Sequence, residues 1–199
     1  MRRAYTELTY YGSKGTHRVL EEAGGKRTEY AEIPLEIKYT RDRDALLTWK
    51  ENGLEKVLRI EGKNSWLEVD GQRQRTFSTV DDALGIAPRT RQGDILFAIR
   101  YFVFRDELQL GDKFFSRLVN PESKSEEVVD GHACSVLTGT YNNVDARNTY
   151  WIDNETGLIR RIQQTIVIRT KSEGKEYVST STTTENYTDI ELAVGRPAI

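Results

Sequence analysis

Tyr150-Trp-Ile-Asp-Asn-Glu-Thr-Gly-Leu-Ile-Arg-Arg-Ile162 sets two apolar arms, Tyr150–Ile152 and Leu158–Ile168, on either side of the polar run Asp153-Asn-Glu-Thr-Gly157. Asp and Asn bond to their own turn and tolerate left-handed backbone, and Gly takes positive φ at no steric cost. The stretch therefore predicts a β-hairpin. The second arm is long and one-sided. Its even positions hold Leu158, Ile162, Gln164, Ile166 and Ile168, and its odd positions Arg161, Gln163, Thr165 and Arg169. Alternate side chains of a strand lie on opposite faces, so one face is mostly apolar and the other mostly wet. A long strand of this kind belongs to a strongly curved sheet or barrel that encloses something.

Upstream, the chain to Asp70 alternates almost without pause. Tyr11–Leu20 reads as a strand, Glu21–Lys26 as a glycine turn and Arg27–Ile33 as its partner. Ile33, Leu35, Ile37 and Tyr39 then share one parity against Glu32, Glu36, Lys38 and Thr40, a half-buried strand. Pro34 on the polar parity marks an edge or a break between two strands. Ala45–Glu51, Glu55–Glu61 and Ser65–Val69 follow, joined by Asn52-Gly53 and Gly62-Lys-Asn64, with Asp70-Gly71 closing the series. The middle breaks the pattern. Ser78-Thr-Val-Asp-Asp-Ala-Leu-Gly85 has a hydroxyl followed three residues later by Asp and ends in Gly, which predicts a short capped helix. Ile95, Leu96, Ile99, Phe102 and Val103 recur at helical spacing over Gly93–Val103. Strands resume around Lys113–Val119, Glu126–Val129, His132–Thr140, Ala146–Asp153, Leu158–Thr170 and Lys175–Thr188. The order is sheet, helical insert, sheet.

Bulk properties narrow the function classes. The chain of 199 residues suits one substantial domain, 1–199. Its 29 Lys+Arg and 31 Asp+Glu leave a net charge of −2 with the signs interspersed, so no basic stripe for nucleic acid is present. No apolar run reaches the length of a membrane-spanning helix. The single cysteine, Cys134, excludes an internal disulfide and a cysteine-built zinc site, and His17 and His132 offer little for a metal centre. Neither metal nor cofactor is expected. Met1–Leu8 reads as the last turns of a helix running into a strand, with no apolar signal core.

Val129-Asp-Gly-His-Ala-Cys-Ser-Val-Leu-Thr-Gly-Thr140, Tyr150-Trp-Ile-Asp153, Thr156-Gly-Leu-Ile-Arg-Arg161 and Tyr187-Thr-Asp-Ile190 follow one another in this order. In that succession the chain resembles the outer-membrane lipoprotein-sorting-like proteins of the LolA/LolB-like family, from Tyr5 to Ile190. The resemblance implies a mainly β domain: an incomplete antiparallel β-barrel wrapped around a central helical insertion, here about 78–103, with a helix end at Arg2–Leu8. It also implies a periplasmic or secreted protein whose leader is absent from this chain. No lipobox cysteine is present, so the chain as given is not itself a lipoprotein.

Candidate chemistry is thin. His132 and Cys134 share a parity, the spacing of a thiol–imidazole pair, but a catalytic thiolate also needs an oriented third group. A small buried core cysteine is the plainer reading. No Gly-x-Ser-x-Gly elbow is present. The expectation is therefore a non-enzymatic protein that takes an apolar ligand, a lipid or the acyl chains of a lipoprotein, in its concavity. The alternative is a structural or interaction module of the envelope with a self-filled core. The residues expected to line the concavity are Leu35, Ile37, Tyr39, Leu47, Trp49, Leu84, Ile95, Leu96, Ile99, Ile162, Ile166 and Ile168, with Ile33 on the same surface. Trp66 and Trp151 are further candidates for lining or plugging it. Arg160, at the parity of Ile162 and Ile166, either snorkels to the rim or meets an acidic ligand group at the mouth.

Overall fold

The computed structural model describes residues 4, 8–40, 44–79, 82–83, 118–141, 145–172 and 174–194. Twelve strands lie among them. The first seven are β1 (Leu8–Ala23), β2 (Lys26–Glu29), β3 (Ile33–Thr40), β4 (Ala45–Glu51), β5 (Leu54–Glu61), β6 (Asn64–Val69) and β7 (Gln72–Phe77). The remainder are β8 (Leu118–Val129), β9 (His132–Tyr141), β10 (Ala146–Asp153), β11 (Ile159–Ser172) and β12 (Lys175–Val194). They form one sheet ordered β7-β6-β5-β4-β3-β1-β12-β11-β10-β9-β8, with β2 paired on β1. Every pairing is antiparallel.

The sheet consists of two meanders, β3 to β7 and β8 to β12, joined where β1 pairs with β12. Asn52-Gly53, Asp70-Gly71 and Asp130-Gly131 turn the tight hairpins with positive φ at both residues, 53° and 81°, 47° and 76°, and 48° and 81°. That backbone matches the right-handed twist of the flanking strands, and only Gly with Asn or Asp takes it cheaply. The founding hairpin is present as read. Asp153 N–H donates to the Leu158 carbonyl at 2.8 Å and Gly157 N–H to the Asp153 carbonyl at 2.8 Å.

β7 and β8 are the two edges, so the barrel is not closed. A flat sheet of this many strands at the usual spacing would be about 50 Å wide. Yet Phe77 of edge strand β7 lies in one buried cluster with Tyr11, Leu35, Ile37, Leu47, Leu58, Tyr150, Ile162 and Tyr187, and Leu118 of edge strand β8 packs against it. Only a strongly curved sheet brings its edges onto a shared core. The opposite face of β8 to β10 carries a smaller cluster of Val129, Cys134, Val136 and Trp151.

Three expectations are corrected. Asp70-Gly71 does not close the first series but turns into β7, whose Gln72–Thr76 are all exposed. An edge strand with one free side needs no alternation, and Arg73 and Arg75 instead stack on Trp66 and Phe77 at 4.1 and 4.8 Å from the ring centres. Leu8 belongs to β1 rather than to a helix end, while Ala4 has helical backbone. The partner of β1's end stops at Glu29, before Pro34, so the break marked by the proline precedes β3. The expected helical insertion over 78–103 is not shown: only residues 78–79 and 82–83 of it lie among the described residues. Asp82 N–H donates to Thr79 Oγ1 at 3.1 Å, Thr79 Oγ1 to Asp82 Oδ2 at 2.8 Å, and Ala83 N–H to the Thr79 carbonyl at 3.2 Å, a capped first turn. Gly93–Val103 lies outside them.

Candidate functional site

The concave face is built by register. Leu35 pairs with Trp49, Ile37 with Leu47 and Tyr39 with Ala45, and Leu47 pairs onward with Leu58. Side chains opposite each other in adjacent strands share a face, so these rows form one apolar surface. Leu35, Ile37, Tyr39, Leu47, Trp49 and Ile162 all belong to the main cluster, with Ile33 half-buried against it. Ile166 is buried, while Ile168 is only half-buried as β11 runs out beyond the core. Leu84, Ile95, Leu96 and Ile99 lie outside the described residues. Of the three tryptophans only Trp49 lies in this core. Trp66 donates to Glu68 under Arg73, and Trp151 donates to Glu127 beside Arg161.

A polar band crosses the other half of the same face. His17 on β1 is opposite Glu185 on β12, which is opposite Ile162 on β11. His17 Nδ1 lies 3.3 Å from Glu185 Oε1, and Tyr187 donates its hydroxyl to Glu185 Oε2 at 2.5 Å. His17, Glu185 and Tyr187 are 1, 2 and 1 % exposed. One row further along, Thr183 pairs with Gln164 and Gln164 with Asn148. Gln164 Nε2 donates to Asn148 Oδ1 at 2.9 Å. His17 Nε2, Asn148 Nδ2 and Gln164 Oε1 are buried without a hydrogen-bond partner among the described residues. Buried polar atoms normally find one, so three in a single band mark the place as unusual. Tyr11, further along β1, is fully buried, and that burial pushes its hydroxyl up to about 12. It stays a donor at any ordinary pH.

The sequence held a signal for this band. Gln164 interrupts the apolar even positions of its strand, and His17 has the parity of Tyr11 in its own. A polar residue at a core position is the pattern to look for.

Arg160 is placed differently from its expected parity. The register of β10 and β11 shifts between Trp151 and Ile152, so that Trp151 faces Arg161 but Ile152 faces Ile159. This bulge leaves Arg160 as the extra residue and gives the core position to Ile159. The Arg160 guanidinium, 9 % exposed, donates from Nη2 at 2.7 Å and Nε at 2.9 Å to Asp153 Oδ2. Asp153 Oδ1 accepts the backbone N–H groups of Glu155 and Thr156 at 2.9 and 3.1 Å. His132 Nδ1 is 3.2 Å from Arg160 Nη2 and 3.3 Å from Asp153 Oδ2. The acidic group that Arg160 meets is thus the chain's own, and the residue neither snorkels nor presents a free charge.

Burial pushes the Asp153 carboxyl up, but the Arg160 guanidinium and the Thr156 and Glu155 N–H groups outweigh it and hold the group below its ordinary value. A carboxyl depressed by folding stabilises fully above its unfolded pKa of about 3.9, and the gain is lost as pH falls through the lower folded value. The expected result is a stability difference between the wild type and Asp153→Asn that is constant near neutrality and narrows below about pH 4. Denaturant midpoints measured across that range check it, and a difference independent of pH would contradict the assignment.

The thiol–imidazole spacing does not assemble into a pair. Cys134 is fully buried in the second cluster, and its thiol approaches the His132 carbonyl at 3.5 Å, while the imidazole is held by Asp153 and Arg160. Burial first, then the Asp153 charge, push the thiol up and keep it protonated. On the wet face, Tyr10, Lys14, Glu36, Lys38, Asp189 and Glu191 line an open cleft of about 470 Å³. Lys14–Asp189 and Lys38–Glu36 pair across it at 3.6 and 2.7 Å. None of the expected site residues borders it.

No family model and no curated protein matches the sequence. Among solved structures, the chain is similar to the lipoprotein LppX of Mycobacterium tuberculosis, with 12% identity over 98% of this chain and 92% of LppX and a TM-score of 0.50. LprF of Mycobacterium bovis matches with 10% identity over 100% of this chain and 97% of LprF, at a TM-score of 0.47. A LolA superfamily protein of Nitrosomonas europaea matches with 10% identity over 93% of this chain and 87% of its own, at a TM-score of 0.35. At such identities the likeness is one of fold. The chain shares the fold of LppX.

Proposed function

We propose that this protein binds an apolar ligand, a lipid or an acyl-bearing partner such as a lipoprotein, on its concave face, without bond chemistry and in the cell envelope. One observation carries the reading. Leu35, Ile37, Leu47, Leu58 and Ile162 come from both halves of the chain onto a single apolar surface of a sheet whose edges do not pair. Concave, mostly apolar surfaces with a few placed polar groups are where small ligands bind. The fold shared with LppX, itself described as a lipoprotein, supports the same reading. Among the described residues no helix is long and apolar enough to cross a membrane. In this reading the ligand surface is Leu35, Ile37, Tyr39, Leu47, Trp49, Ile162, Ile166 and Ile168, and Leu84, Ile95, Leu96 and Ile99 are further candidates outside the described residues.

A second reading, a self-filled structural module, is supported by the depth of burial, since Ile37 and Leu47 are each 1 % exposed in the protein alone. Uptake of the apolar dye N-phenylnaphthylamine separates the two. The ligand reading expects one-site binding by the wild type, abolished by Ile99→Asp at an unchanged denaturant midpoint. A wild type that takes up no dye, and an Ile99→Asp variant that melts globally, would establish the filled core instead.

A further inference from the structure

We infer that the polar band on the concave face is a recognition site for the hydroxyl and ester oxygens of an uncharged acyl ester, a monoacylglycerol-like molecule, rather than for an anionic head group. This rests on the apolar-ligand reading above and names its chemical class.

The first argument is donor–acceptor complementarity. His17 Nδ1 faces a carboxylate oxygen of Glu185 at 3.3 Å, so Nδ1 carries the proton and donates. Nε2 of the same ring has no partner among the described residues, at 1 % exposure. Across β12 the Gln164–Asn148 amide pair satisfies one donor and one acceptor, leaving an NH2 on Asn148 and a carbonyl on Gln164. Turning both amides over exchanges these roles but still leaves one free NH2 and one free carbonyl. Both residues are more than nine-tenths buried, at 2 and 8 % exposure. The amide pair therefore offers one acceptor and one donor. A ligand that complements it carries a hydroxyl proton for the free carbonyl and a carbonyl oxygen for the free NH2. Hydrocarbon alone leaves both unpaired, and a buried group without a partner is costly.

The second argument is charge. Both Glu185 oxygens are engaged, by His17 and by Tyr187. Arg160 is the buried cation among the described residues, and Asp153 holds it. Among the described residues the face thus has no unmatched cation for a phosphate or carboxylate. An ionised head brought there would lose its hydration without a counter-charge.

Displacement of bound N-phenylnaphthylamine from the full chain by monolaurin, n-dodecane and laurate tests the inference. The expected order places monolaurin at least about tenfold ahead of both others, the effect of one or two hydrogen bonds made in a dry site. In the double variant Asn148→Leu/Gln164→Leu that preference should collapse toward that of dodecane. Its denaturant midpoint should hold or rise, because both partners of a buried pair are replaced together by apolar groups. Equal displacement by monolaurin and dodecane overturns the inference while leaving the apolar-ligand reading intact. Tighter binding of laurate overturns the charge argument and the inference with it. No dye or lipid uptake overturns the apolar-ligand reading itself. A double variant that keeps the full monolaurin preference also overturns the inference. Should that variant fail to fold, the order measured on the wild type still decides.

Discussion

Asp153→Ala should lower the unfolding free energy by about 3–5 kcal/mol, the range for removing one partner of a buried ion pair. The loss has two sources. Asp153 Oδ1 ties the turn through the Glu155 and Thr156 N–H groups, and Oδ2 holds the Arg160 guanidinium. Without the carboxylate, Arg160 remains at 9 % exposure with a half-exposed imidazole as its neighbour. The reverse change is milder. Arg160→Met leaves Asp153 with both backbone donors and with His132 Nδ1 at 3.3 Å, so the carboxylate keeps polar partners. Chemical denaturation of both variants checks the asymmetry. A larger loss for Arg160→Met than for Asp153→Ala would mean that the guanidinium holds the hairpin by packing rather than by its charge.

Leu47→Ala should cost about 2–5 kcal/mol, through lost transfer energy and the void left behind. Leu47 sits between Ile37 and Leu58 on the concave face at 1 % exposure, where neighbours from three strands cannot all move in. Ile168→Ala, at a half-buried position of β11 opposite Ser179, should cost clearly less. Thermal or urea unfolding of the two proteins checks both the size and the order. Equal costs would place Ile168 inside the core and move the boundary of the concave face toward the tip of β11.

Much of the architecture was legible because β-sheets write themselves into period two. The alternation at Ile33–Tyr39 and Ala45–Glu51 located β3 and β4 and their buried faces, and Asn52-Gly53 and the Asp153–Gly157 turn located hairpins through residues that few other conformations favour. β7 escaped, since Gln72-Arg-Gln-Arg-Thr76 buries nothing and carries no alternation. Its strand exists because β6 offers a free ladder edge. Arg160 was misread for a related reason. Parity counting assumes an unbroken ladder, and one bulge residue between Ile159 and Arg161 exchanges which side chain faces the core.

The candidate site divides in the same way. Leu35, Ile37, Tyr39, Leu47, Trp49 and Ile162 were expected on one surface, and the curvature of the sheet brings them together with Phe77 of the far edge. The sequence by itself determined strand positions, turn chemistry and the apolar face, because each depends on residues only a few positions apart. Only the tertiary structure decided that His17 meets Glu185, 168 residues away, and that Asn148, Gln164 and His17 share one buried band. Pairing β1 with β12 closes the longest loop in the chain. No local pattern encodes which residue of the first strand lies opposite which residue of the last. That register is set by the packing of the whole concave face.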